Sequence, residues 1–435
     1  MNKGSEVWKV LDHHLLMELI TVPLFTGTIG YITNWTGVLM LFTPIDFRGF
    51  HVPGLRVLFP YWPRRVQVLP IFKDGHRFGW QGMVPSRAEK MASIAVDKSL
   101  AKVGSISDFY RELDPDSIAE HFVNVARPQV RTIVDRIMEK ENPRLWVNLP
   151  TFAKEIVYRR VEDDLPKSAG RITDALGEHL DELIDAKFMA IRILTENPKL
   201  LNDIFRTMGA KELKFMQNFG FYFGVPCGFV LVGVLQLLPH WWVLPIGGVI
   251  IGWVVNYIGL TMIFEPIERS NWVPWRQGLL LKRRDEIAVG FAETFSKQVI
   301  TLDNIADELI NGPRSDRAMQ MLETVMHETV DAAVGRARIV VKTAVGSREY
   351  ERMKSSVFPT AVAVMPNALD DQEFADKQAA KISDFVETQM SKLDNKDFAD
   401  LLRAAVKQDE WLLFLHGGVL GAFAGFLHLA LFPPG

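Results

Sequence analysis

Four long stretches without a single Asp, Glu, Lys or Arg constrain this chain more than anything else in it: Leu19–Phe42, Phe215–Leu238, Val243–Phe264 and Trp411–Phe432. A helix needs about 20 apolar residues to cross the hydrocarbon layer of a bilayer, and each stretch is that long. Their Gly and Pro content counts against soluble core helices but is ordinary in lipid. All 49 Lys+Arg and 52 Asp+Glu lie outside them, in long polar segments. The expectation is an all-α integral membrane protein with four transmembrane helices and a large water-exposed portion.

Composition narrows the classes further. A net charge of −3 with no basic block argues against nucleic acid as a partner. Cys227 is the one cysteine and lies inside an apolar stretch, so a disulfide framework or a Cys-based zinc site is not available. Apolar content of 48% and aromatic content of 11% exclude disorder.

The chain also reads as one unit written twice. Gly30, Asn34, Gly37, Met40, Phe42, Pro44 and Asp46 recur as Gly252, Asn256, Gly259, Met262, Phe264, Pro266 and Glu268 at a shift of 222. Gly82, Arg87, Glu89 and Ala92 recur as Gly278, Arg283, Asp285 and Ala288 at 196, and Gly220, Gly224 and Gly228 as Gly417, Gly421 and Gly425 at 197. The fall in shift implies one insertion in the first copy. The expected organisation is repeat 1 over 15–238, with spans 19–42 and 215–238, an interfacial insertion 47–80 and a helical arm 86–212. Repeat 2 runs over 243–432, with spans 243–264 and 411–432 and an arm 282–408. Two spans per copy give tandem parallel repeats, related by an axis along the membrane normal.

Both polar regions then lie on one side of the membrane. Ten Lys/Arg flank the spans there, against Lys3 and Lys9 on the other side, which predicts cytoplasmic arms at a bacterial inner membrane. Apolar residues at 3–4 spacing (Ile118, Phe122 and Val125; Val130, Ile133, Val134, Ile137 and Met138; Ile172, Leu176, Leu180, Leu183 and Ile184; Leu322, Val325, Met326, Val330, Ala333 and Val334; Ala379, Ile382, Val386, Met390 and Leu393) predict helices, each arm being a helical hairpin or bundle. No segment shows strand alternation. The aromatic, basic and Pro-containing run Arg56–Arg65 suits a loop lying on the bilayer surface.

Three groups of residues are candidates for chemistry. Gly27, Gly30, Asn34 and Gly37, and Gly248, Gly252, Asn256 and Gly259, form small/polar stripes inside spans. Glycines admit a close backbone, and an amide in hydrocarbon needs a partner; the amides either fix helix register or line a substrate or ion path. At the membrane edge, Arg87 with Glu89, and Arg283, Arg284 and Asp285, either cap helices or meet anionic headgroups. The histidines lack helical metal spacing, and no phosphate loop, nucleophile elbow or His-Glu-x-x-His is present. No catalytic residue, metal or cofactor is therefore expected.

Gly30-Tyr-Ile-Thr-Asn34-Trp with Met40-Leu-Phe-Thr-Pro44, the Gly82…Pro85-Ser-Arg87-Ala-Glu89 segment and the closing Asp409-Glu-Trp411…Gly417-Gly-Val-Leu-Gly421 resemble the bacterial YheB/YjiN-like family, domain of unknown function 445. The second copy departs from it, with Gly252-Trp-Val-Val-Asn256-Tyr lacking the Thr. The resemblance implies an inner-membrane protein and brings no established activity. The leading expectation is a non-enzymatic membrane protein presenting paired helical arms, as a scaffold or in lipid or hydrophobic-ligand handling. Its partners would be membrane lipids, with a homo-oligomer or an envelope protein beside them. The alternatives are an oligomeric transporter or channel with Asn34 and Asn256 on the path, and a lipid-modifying enzyme using Arg87/Glu89 and Arg283/Asp285.

Overall fold

The computed structural model describes residues 3–67, 69–93, 104–335, 342–343, 346–407 and 410–432. Parts of the expected arms (94–103, 336–341, 344–345 and 408), position 68 of the insertion, and Asp409 of the closing motif lie outside the described residues. In chain order the main elements are α1 (Lys3–Phe42), β1 (Arg48–His51), β2 (Phe72–Lys73), β3 (Arg77–Trp80), α2 (Ile106–Glu112), α3 (Pro115–Ala126), α4 (Val130–Glu141), α5 (Thr151–Leu183) and α6 (Ala186–Glu196). There follow α7 (Pro198–Met208), α8 (Ala210–Leu237), α9 (Val243–Phe264), α10 (Arg284–Gln298), α11 (Leu302–Asn311), α12 (Ser315–Val334), α13 (Ser347–Leu369), α14 (Gln372–Lys392), α15 (Asn395–Lys407) and α16 (Glu410–Leu431). The chain divides into two compact units, and each draws on both halves of the sequence: unit 1 is Met1–Ser99, Leu194–Gly290 and Leu393–Gly435, unit 2 is Leu100–Ile193 and Phe291–Lys392.

Unit 1 contains the four helices long and apolar enough to cross a membrane, Leu15–Phe42 of α1, α8, α9 and α16. Only 17–39% of each span's most apolar window is buried. Large apolar side chains such as Ile20, Leu24, Val230, Ile250, Val419 and Phe423 face outward, an arrangement suited to lipid and costly in water. α1 crosses α8, and α9 crosses α16, at backbone contact. A Cβ on Gly30 would run into the Gly220 carbonyl, and one on Gly228 into Pro23 of α1. Likewise Gly252 meets Gly417, Gly248 meets Gly421, and Gly425 meets Pro245. Each pair of helices is antiparallel, because contacts advance along one helix as they retreat along the other. Val22, Leu231, Val232, Val243 and Leu244 form the core where the pairs meet.

The insertion is not only a loop. It contains a small antiparallel sheet in the order β1-β3-β2, absent from the sequence expectation because strands of two to four residues cannot display alternation. Asp74 and Gly75 lie in the three-residue loop between β2 and β3, with φ of 57° and 67°, the left-handed region that Gly and Asp adopt most readily. The sheet is tied back to the end of α1, where Trp80 Nε1 donates to Thr43 O (3.1 Å) and Gln81 Nε2 to Ile45 O (2.7 Å).

Unit 2 is helical. Ser105 caps α2 with a reciprocal Asp108 bond, and Thr301 caps α11 by accepting from Asn304 N. The stripes read as apolar faces are buried in part: Ile118, Val134, Leu180, Leu322, Ile382, Val386 and Met390 are buried, while Phe122, Ile133, Leu176, Val325 and Met326 are half-buried. They bury against each other both within a sequence segment, as α3 does on α5, and across the two segments, as α5 does on α12 and α4 on α13. Phe109 packs on both Phe295 and Phe385, and His121 stacks on Phe374 at 3.8 Å. Ser356 donates to Glu141, and Arg314 donates to the Asp181 and Ile184 carbonyls. Arg192 binds Asp307 and Glu308 at 2.7 and 2.9 Å. Glu308 is 1% exposed, and burial pushes its carboxyl pKa up against the pull of Arg192.

Candidate functional site

The two intramembrane amides are buried, Asn34 at 2% and Asn256 at 3% exposure. Asn34 Nδ2 donates to Met216 O across the α1–α8 crossing, and Asn256 Nδ2 to Leu413 O across α9–α16, both at 2.6 Å. Each amide thus occupies a carbonyl of its antiparallel partner beside the glycine contact, which is a register-fixing arrangement. Among the described residues neither Oδ1 has a hydrogen-bond partner. The glycine stripes divide: Gly27 and Gly30 face α8, while Gly37 faces Leu413 and His416 of α16; Gly248 and Gly252 face α16, while Gly259 faces Phe219 of α8. The last glycine of each stripe has ordinary contact distances or a side-chain neighbour, so it does not sit at a backbone crossing.

A cavity of about 50 Å³ lies among α1, α8, α9 and α16. Its wall is mostly apolar (Phe25, Ile29, Leu231, Ile251, Val255), with Thr26, Thr33, Asn34 and His428 as its polar positions. His428 is 6% exposed, and among the described residues neither ring nitrogen has a hydrogen-bond partner. Asn256 is not among the lining residues. Such a volume has room for a few waters, which is how buried polar atoms of this kind are usually satisfied. His428 was not among the sequence candidates; its signal was that it is one of two imidazoles, with His416, in an uncharged span.

At the membrane edge the charges pair differently from the expectation. Arg283 does not join its neighbour Asp285, which is exposed. It donates to both carboxylate oxygens of Glu212 at the start of α8 (2.7 and 2.8 Å) and to Glu286 (2.9 Å). Lys211 also reaches Glu286, at 2.7 Å. Arg283, then Lys211, draw the Glu286 carboxyl down to about 2, and Glu286 with Glu212 raises the Arg283 guanidinium pKa. Arg284 donates to the Leu393 carbonyl and to Asn395 Oδ1, with its guanidinium over the Phe398 ring. Arg87 is half-buried and Glu89 exposed. Glu212, 4% exposed, and Arg403, which bridges Glu265 and Glu410 at 2.6 and 3.0 Å, were not singled out in the sequence. Their partners lie 71 and 138 residues away or in the next helix, beyond any local pattern. Among the described residues no cluster of three or more His, Cys, Asp or Glu is arranged to hold a metal.

Comparison with known proteins adds a name for the class. No family model matches the chain, and no solved structure matches it. A "UPF0754 membrane protein" of Lysinibacillus sphaericus (strain C3-41) is 31% identical over 87 residues, 19% of this chain and 23% of that protein. Another "UPF0754 membrane protein", of Exiguobacterium sibiricum, is 35% identical over 66 residues, 14% of this chain and 18% of that protein. The chain thus matches about a quarter or less of the length of these relatives. They are uncharacterised bacterial membrane proteins, and the four apolar helices agree with them: this chain is a membrane protein.

Proposed function

We propose that the protein is a non-enzymatic scaffold of the bacterial inner membrane, in which unit 1 is the membrane anchor and unit 2 a cytoplasmic helical body that organises lipids or an envelope protein at the membrane surface. The observation that carries this reading is that both polar segments fold into one unit, with Phe109 of the first packed on Phe295 and Phe385 of the second. Nearly half of the chain is thereby committed to a single body fed by both membrane-helix pairs. Lys/Arg asymmetry supports the cytoplasmic side. The matched contacts Gly30–Gly220 with Gly252–Gly417, and Asn34–Met216 with Asn256–Leu413, support a duplicated ancestor. The motif resemblance supports a place in the domain of unknown function 445 family.

The test is reconstitution of the full chain in vesicles of native lipid. A scaffold retains phospholipid or a stoichiometric partner through purification and passes no more solute than empty vesicles do. Purification free of both lipid and partner would contradict it. A second reading, a transporter or channel subunit, is favoured by the cavity that Asn34 and His428 line. It requires solute flux that Asn34→Leu abolishes without unfolding the protein.

A further inference from the structure

The cationic side chains at the membrane edge fall into two kinds. Arg283, Arg284 and Arg403 are consumed by carboxylates and carbonyls within unit 1. Five of the insertion, among the described residues, are not. Arg48, Arg56, Arg64 and Lys73 are exposed, Arg77 lies 5.9 Å over the Phe47 ring, and among the described residues none of the five forms an ion pair. The acid within 47–80 is Asp74 alone, at the hairpin tip.

The same segment exposes apolar surface that its own fold does not cover. Tyr61 is 84% exposed, Val57 70% and Phe50 65%. Beneath them the aromatic rings hold one another: Trp62 and Phe59 pack on Phe72, Phe72 on Phe78, and Phe78 on Phe50, with centroids 4.8–6.0 Å apart. Gln67 Nε2 staples the loop by donating to the Phe59 and Trp62 carbonyls, each at 2.9 Å. The result is a braced platform of exposed aromatic and aliphatic side chains with unpaired cations around it. It is fixed a few residues beyond the end of a membrane-crossing helix. Aromatic rings favour the headgroup level, and unpaired Lys/Arg favour anionic lipid.

We propose that residues 47–80 form a recognition surface for anionic phospholipid, with Arg48, Arg56, Arg64 and Lys73 on headgroup phosphates and Phe50, Val57 and Tyr61 at the acyl boundary. This rests on the membrane placement of unit 1 and not on the role proposed for unit 2, so the two fail separately. Each cation near an anionic surface contributes about five-fold in affinity, and salt weakens it.

The experiment uses the full chain with Cys227→Ser and Tyr61→Cys, labelled with bimane and reconstituted in vesicles of phosphatidylcholine with or without phosphatidylglycerol. Brominated acyl chains report burial of the label, and aqueous iodide reports exposure. The expected result is quenching by brominated lipid that strengthens with phosphatidylglycerol and weakens with added salt. The phosphatidylglycerol response disappears in the variant Arg48→Gln, Arg56→Gln, Arg64→Gln, Lys73→Gln. It survives in the charge-preserving variant Arg48→Lys, Arg56→Lys, Arg64→Lys, which separates loss of charge from loss of fold. Iodide quenching without brominated-lipid quenching in either vesicle, as a soluble phosphate or a protein ligand would give, overturns the proposal. So does a phosphatidylglycerol response that the glutamine variant retains.

Discussion

At the scale of single residues, the decisive contacts are those where a side chain has no room. Gly220 sits against Gly30 and 2.9 Å, measured from an added Cβ, from Asn34 Nδ2. Gly220→Ala must push α1 and α8 apart, at a cost of about 1–3 kcal/mol. Gly233 on the same helix has nothing within 4 Å of an added Cβ, so Gly233→Ala should be neutral or stabilising by up to ~1 kcal/mol. Unfolding of the two variants in mixed micelles compares them directly. Equal behaviour would refute the close crossing. The amides are a milder case. Replacing Asn34 or Asn256 with Leu removes one interhelical bond and should cost about 0.6 kcal/mol, because polar groups in a loosened bundle find other partners. The stripes and amides were legible in the sequence since glycine and asparagine are conspicuous in apolar helices. The division of each stripe between two neighbours was not, because spacing fixes a face of a helix and not what meets it.

At the scale of elements, the charged contacts set two predictions. Glu308 of α11 and Arg192 of α6 are joined inside unit 2. Arg192→Leu strands a carboxylate that is 1% exposed, and loss of about 3 kcal/mol is expected. Adding Glu308→Leu should recover most of it, which a double-mutant cycle measures. In the first turn of α10, Glu286 has a carboxyl held at about 2 by Arg283 and Lys211 against an ordinary 4.5. A lowered carboxyl contributes stability above its ordinary value and loses it as pH falls toward the folded one. Acid titration of unfolding between 4.5 and 2 should therefore be shallower in Glu286→Gln than in the native chain. The short elements were the hardest to read. Asp74-Gly75 is a recognised hairpin signal, but strands as brief as Phe72–Lys73 offer no periodicity beside it. The Arg283–Glu212 pair was invisible for another reason: it is 71 residues apart in sequence.

At the scale of the whole molecule, hydropathy alone was enough for the four spans, whose bounds agree with the helices to within a few residues at most ends. It was not enough for the organisation of the polar half. An amphipathic stripe announces that a face is buried and leaves its partner open, and the partners here come from both polar segments. That arrangement makes a strong demand on topology. Segments 100–193 and 291–392 share one unit, so α8 and α9 together must cross out and back. Side-specific labelling with a membrane-impermeant maleimide tests this in a Cys227→Ser chain carrying Thr151→Cys, Ser347→Cys or His240→Cys. The account predicts that Thr151→Cys and Ser347→Cys react only in inverted vesicles and His240→Cys only in intact spheroplasts. Labelling of Thr151→Cys and Ser347→Cys from opposite faces would contradict it.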